Sequence, residues 1–209
     1  MIIKGFWHIF MVNHWYSVVE DQLRILLMSG LYDACEEISI GCLGTQVEKH
    51  FLEMYIVNPY SKLKIKYHSE RSEDYEFPVL QLIEDDKSDY AGFYFHVKGV
   101  TKPFDTVVNH WRTMLNEAVI NQWRGHYQNI INGYDASSIN FKKSPDHFSG
   151  NFWWFNRAYF DRLPKISSLN LTDRWQAEQL ICTRGANGKF IYSDFKEPGD
   201  TVYLMEYKR

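Results

Sequence analysis

His96, Lys98 and Gly99 close the run Phe93-Tyr94-Phe95-His96-Val97-Lys98-Gly99, which is otherwise aromatic and apolar. An imidazole, an ammonium and a backbone without a side chain, gathered at one strand end, suit an anionic ligand such as a phosphate ester. A second stretch, Asp146-His147-Phe148-Ser149-Gly150-Asn151-Phe152-Trp153-Trp154-Phe155, sets small and polar residues among bulky aromatics. Ser149 and Asn151 offer hydrogen bonds to hydroxyl groups, Gly150 a close backbone approach, and His147 a contact to phosphate or acceptor. Trp153 or Trp154 offers a flat face for a sugar ring, although alternation along a strand sends one of the two away from whatever the other faces. The two stretches together point to an enzyme that handles an anionic, sugar-like ligand.

The elements that must position these residues read as strands alternating with helices. Residues 6–12 form an apolar strand, and 15–29 switch to helical spacing with Gly30 at the left-handed C-terminal cap. Strands follow at 38–43, 63–68 and 93–97, with helices at 46–55 and 76–86 between them. Pro103 opens a long helix whose stripe runs through Phe104, Val107, Val108, Trp111, Met114, Leu115, Ala118, Val119 and Gln122. Further strands are expected at 134–141 and across the aromatic motif, with helices at 156–163 and after Thr172-Asp173. The tail from Lys189 reads as a small β addition turning at Pro198-Gly199-Asp200. This order predicts a single α/β, Rossmann-like domain over 1–209: a mostly parallel sheet, helices on both faces and a C-terminal β addition. Ligands of such sheets sit at the carboxyl ends of the strands. That rule selects Asn13-His14, Gly44-Thr45, Glu70-Arg71 and His96-Lys98-Gly99.

Bulk properties narrow the partners. The chain has 209 residues, 45% of them hydrophobic, a net charge of -3 and a pI near 6.2. Its cations are scattered, so there is no electrostatic footprint for nucleic acid. Cys35, Cys42 and Cys182 are odd in number and widely spaced, which fits neither a disulfide framework nor a zinc ribbon and suits the cytoplasm. No run reaches the roughly 18 apolar residues of a membrane span, and no His-x-His or His-Glu-x-x-His spacing suggests a metal hydrolase.

The motifs resemble those of nucleotide-sugar glycosyltransferases of the GT-A type, in particular bacterial polysaccharide and surface-glycan transferases. The elements that carry the likeness are His96-Val97-Lys98-Gly99, Phe148-Ser149-Gly150-Asn151-Phe152-Trp153 and Arg157-Ala158-Tyr159-Phe160-Asp161-Arg162-Leu163. The resemblance implies transfer of a sugar from a nucleoside-diphosphate donor to a glycan or lipid-linked hydroxyl acceptor. It also implies a catalytic base at the start of a late helix, where Glu178 falls, with Asp173 in reserve. Members of this group commonly hold a divalent metal through Asp-x-Asp at the end of the fourth strand, where this chain has His96-Val97-Lys98. The expectation is therefore that Lys98, assisted by His96 and Gly99, carries the diphosphate without a required cofactor; manganese or magnesium remains the alternative. A catalytically inactive sugar-nucleotide or glycan-binding accessory protein is the competing reading.

Overall fold

Apolar runs alternating with helical periods assemble into one twisted sheet covered on both sides. The computed structural model describes residues 1–194 and 204–208. Strands β1 (Ile2–Phe10), β2 (Glu37–Leu43), β3 (Leu63–Ser69) and β4 (Tyr90–His96) run parallel in the spatial order β3-β2-β1-β4. Next to β4 lies β8 (Trp153–Asn156), antiparallel to it and to the following β5 (Ala136–Ile139). Strand β9 (Lys189–Ser193) pairs parallel with β5, and β10 (Leu204–Lys208) pairs antiparallel with β9 at the edge. A separate ribbon joins β6 (Phe141–Lys142) to β7 (His147–Phe148).

Helices α1 (Trp15–Met28), α2 (Leu31–Ala34), α3 (Gln46–Leu52), α5 (Thr106–Leu115) and α6 (Trp123–Ile131) contribute to a core that includes Trp7, Phe93, Phe95 and Trp154. On the other face, α4 (Phe77–Asp85), α7 (Arg157–Phe160) and α8 (Arg174–Gln179) cover Phe6, Tyr94, Trp153 and Phe155. Alternation along β4 and β8 divides their aromatics between the two cores. A sheet covered on both faces has no solvent side, so Trp153 and Trp154 are both fully buried. Either indole then contributes about 3–5 kcal/mol against truncation to Ala. Among the described residues, no helix is long and apolar enough to cross a membrane.

The predicted architecture is therefore observed: parallel strands dominate, helices lie on both faces, and the C-terminal strands extend the sheet. Gly30 takes φ 76° after α1, as a left-handed cap requires. The turn at Pro198-Gly199-Asp200 lies outside the described residues.

Several boundaries differ for identifiable reasons. The first strand begins at Ile2, ahead of the apolar run, and takes in Lys4, whose ammonium pairs with Asp86 at 2.8 Å. The long helix predicted from Pro103 is two helices. Asp105 accepts a hydrogen bond from the Val108 N–H and caps α5, and a π-helical turn at Asn116–Asn121 separates α5 from α6. With the start moved to Thr106, Phe104 is 94% exposed and Val107 also faces solvent; neither belongs to the core stripe assigned to them. The strand expected at 134–141 breaks at Asn140, whose φ of 52° ends β5.

Candidate functional site

The carboxyl ends of β1, β2 and β4 open into a cleft of about 490 Å³, lined by His8, Leu43, Glu76, His96, Lys98 and Glu178 among others. This is where a parallel sheet presents the ends of its strands to a ligand. Tyr94, His96 and Lys98 occupy alternate positions along β4 and its exit. Tyr94 therefore anchors the buried base of the site, while His96 and Lys98 line the cleft above it.

The backbone from His96 to Lys102 is held from several sides. Gln22 donates to the His96 carbonyl at 2.9 Å, Arg112 to the Lys98 carbonyl at 2.9 Å, and Asn13 to the Val100 carbonyl at 2.8 Å. Gly99 turns with φ 87° beside the side chains of Val108 and Arg112. A clamped loop of this kind fixes where Lys98 sits. The Lys98 ammonium forms no ion pair and no side-chain hydrogen bond with any described residue. Burial pulls its pKa below the ordinary lysine value, against the opposing influence of Glu178 and Glu76, while Arg174 and Lys102 add to the depression. A partly desolvated, unpaired cation is a ready partner for an anionic ligand.

Glu178 enters the cleft from α8, whose first turn is capped by Asp173 accepting from the Trp175 N–H at 3.1 Å. Asp173 is thus occupied as a cap and does not line the cleft. Arg174 stands one helical turn before Glu178, yet the two form no ion pair; the Arg174 guanidinium lies 5.0 Å from the centre of the Trp175 ring. Glu178 remains a half-buried carboxylate with no partner among the described residues.

His96 is not the phosphate donor expected of it. Its Nε2 lies 3.0 Å from the Gly150 carbonyl, an acceptor only, so that nitrogen carries the hydrogen and donates it there. Burial, with Lys98 adding to it, lowers the His96 pKa to about 4, and the imidazole is neutral near pH 7. Nδ1 is then an acceptor.

The aromatic motif acts behind the cleft instead of facing it. Trp153 donates to Asn151 Oδ1 at 2.7 Å and Trp154 to the Val119 carbonyl at 2.9 Å, both within the buried cores. The reading of either ring as a sugar platform is overturned by this burial. Asn151, itself buried, donates through its amide to Glu76 Oε2. Gly150 has φ 94°, and a Cβ there would meet Leu115 at 2.6 Å. It is a glycine for conformation and space, and its carbonyl orients His96. The Ser149 N–H donates to the Asn140 carbonyl at 3.0 Å, and His147 Nδ1 is 2.9 Å from the Pro145 carbonyl; neither residue lines the cleft. Thr45 forms a capping box with Glu48 at the start of α3, and His14 precedes α1 as its cap residue. Thr45 serves a helix start through its side chain, whereas the His14 ring makes no capping hydrogen bond, and neither residue lines the cleft. Arg157 and Tyr159 likewise tie the core together, donating to the Asp86 carbonyl at 2.5 Å and the Ile181 carbonyl at 2.9 Å.

Glu76 and His8 are among the cleft residues that were not foreseen. After β3 the expected pair was Glu70-Arg71, but Glu70 accepts from the Gln46 N–H and Arg71 pairs with Glu73 and Asp74. Glu76 occupies the cap position of α4 instead. Pro78, at the first turn of that helix, was the available signal, since proline there marks the residue before it as a helix start. His8 pairs in register with His96 across β1 and β4. Among the described residues, no three His, Cys, Asp or Glu side chains gather as a metal-binding cluster.

No family model and no curated protein matches the chain. A solved structure does. The chain is similar in fold to 4-diphosphocytidyl-2C-methyl-D-erythritol synthase from Anaerococcus prevotii, with a TM-score of 0.50 at 13% identity, covering 96% of this chain and 92% of that one. At this identity the likeness establishes a shared Rossmann-like α/β fold.

Burial of neutral histidine has a consequence for stability. His8, His96 and His126 all have pKa values lowered to about 4, chiefly by desolvation. An unfolded histidine takes up its proton near 6.5, so between 6.5 and 4 the unfolded chain binds more protons than the folded one. Their contribution is fully present above pH 6.5 and is lost as pH falls toward 4. Urea midpoints measured between pH 7.5 and 4 are expected to fall steadily below 6.5. His126→Gln, remote from the cleft, should shallow that slope by about a third, since it removes one of three comparable protons.

Proposed function

We propose that the cleft binds a nucleoside-diphosphate sugar and transfers the sugar to a hydroxyl acceptor, a glycan or a lipid-linked glycan. The observation that carries this reading is the unpaired Lys98 ammonium, held by a clamped loop at the end of β4 in one cleft with the unpaired Glu178 carboxylate. Transfer requires both roles. The acceptor oxygen attacks the anomeric carbon, the bond from that carbon to the phosphate oxygen breaks, and its electron pair leaves with the diphosphate. Lys98 offsets the charge that develops on the leaving group. Glu178 receives the acceptor's proton, and the anomeric configuration inverts. The three buried free thiols suit a reducing compartment, and the reading places the reaction in the cytoplasm.

The test is a thermal-shift and calorimetric panel of UDP, GDP, CMP and their sugar conjugates, with manganese or with chelator, followed by donor turnover. At least one diphosphate conjugate is expected to bind and turn over in the presence of chelator. Binding without turnover across acceptor mixtures would instead identify a sugar-nucleotide-binding accessory protein. Restoration of turnover by manganese alone would assign the diphosphate charge to a metal.

A further inference from the structure

Glu76 and His96 present two hydrogen-bond acceptors to each other. Oε2 of Glu76 is committed, accepting from the Tyr94 hydroxyl at 2.6 Å and from the Asn151 amide. That leaves Oε1, which lies 3.6 Å from His96 Nδ1. Because His96 spends its one hydrogen on the Gly150 carbonyl, Nδ1 has a lone pair and no proton to offer. No described residue supplies a hydrogen to either atom. Both side chains are only 15% exposed and both line the cleft. Two oriented acceptors, side by side in a partly desolvated cleft, complement two donors of matching spacing. A vicinal pair of hydroxyl groups is such a group.

We propose that Glu76 Oε1 and His96 Nδ1 together bind a vicinal diol of the ligand, with Tyr94 and Asn151 as positioning residues that hold the carboxylate. The inference rests on the nucleoside-diphosphate-sugar reading of the cleft and names the part of that ligand read by hydrogen bonds. It also gives the Ser149 to Trp153 segment a purpose: Trp153 orients Asn151, Asn151 orients Glu76, and Gly150 orients His96. The diol belongs either to the ribose or to the hexose, and the probes separate the two.

Affinities of UDP, GDP, their 2′-deoxy counterparts and their glucose conjugates are measured by calorimetry on the wild-type protein, Glu76→Gln and Tyr94→Phe, with folding checked by circular dichroism. Glutamine keeps the shape and can still accept from Tyr94, but its amide turns a donor toward His96 and removes the acceptor pair. If the diol is the ribose, the wild type should prefer UDP or GDP over the 2′-deoxy form by roughly ten- to hundredfold, the worth of hydrogen bonds to a charged group. If it is the hexose, the same factor should separate the glucose conjugate from the free diphosphate. Glu76→Gln should abolish the preference while leaving 2′-deoxynucleotide affinity unchanged. Tyr94→Phe should reduce it in part, which a loss of fold would not do selectively. A preference that survives intact in folded Glu76→Gln, or a wild type indifferent to both comparisons, overturns this inference and leaves the proposed function standing. If no diphosphate or conjugate binds the wild type, both fall.

Discussion

Lys98→Ala is expected to weaken nucleoside-diphosphate binding and to lower transfer by roughly 100- to 1000-fold, the range found when one preorganised group that stabilises developing negative charge is removed. The effect is large because Lys98 is the cation fixed at the end of β4, its carbonyl held by Arg112. His96 is neutral, with its hydrogen committed to the Gly150 carbonyl. Arg174 and Lys102 line the same cleft and already lower the Lys98 pKa, but Arg174 belongs to α8 and leans on Trp175, and Lys102 lies four residues further along the loop. Lys98→Arg should recover part of the binding and less of the rate. A planar guanidinium keeps the charge but needs more room than a point charge held beside Gly99 provides. The fold should be indifferent to both changes, since the side chain makes no ion pair with a described residue. Initial-rate kinetics and diphosphate titration on both variants, with and without chelator, are the measurement. Normal transfer by Lys98→Ala would assign the diphosphate to another group.

The sequence shows where such a cation should stand more readily than it shows what surrounds it. Strand ends are legible because hydrophobic runs stop where the sheet stops, and His96, Lys98 and Gly99 interrupt such a run. Placing Glu178 on a late helix was equally direct, since Thr172-Asp173 announces a helix start and Asp173 does cap it. Glu76 was hidden because its importance comes from partners 18 and 75 residues away, Tyr94 and Asn151, which no local spacing connects. The aromatic motif misled for a related reason. Its polar residues do bond to unusual groups, but those groups are protein atoms forming the back wall of the cleft. Composition distinguishes a segment with demanding hydrogen bonds from an ordinary core strand; it does not say whether the partner is a ligand or a neighbouring strand. The π-helical turn at Asn116–Asn121 was invisible in the same way, since one inserted residue leaves the helical period intact on either side.

Glu178→Gln is expected to retain donor affinity and to lose transfer by roughly 100- to 10,000-fold, the usual worth of general-base assistance. Three carboxylates line the cleft; Glu73 pairs with Arg71, and the surroundings of the other two suit them to different work. Glu76 is fixed through Oε2 by Tyr94 and Asn151 and faces His96 with its other oxygen, which suits recognition of a ground-state hydroxyl pair. Glu178 has no partner among the described residues, and its helix-mate Arg174 leans on Trp175 instead of pairing with it. A base must be free to receive a proton as the acceptor oxygen attacks, and that freedom belongs to Glu178. The kinetic signatures therefore differ: Glu178→Gln should lower kcat with KM for the donor nearly unchanged, whereas Glu76→Gln should act mainly on donor KM. Single-turnover measurements on donor-saturated protein separate the two, because saturation conceals a binding defect and exposes a chemical one. Full single-turnover transfer by Glu178→Gln, together with its loss in Glu76→Gln, would exchange the two roles and make the carboxylate held by Tyr94 and Asn151 the base.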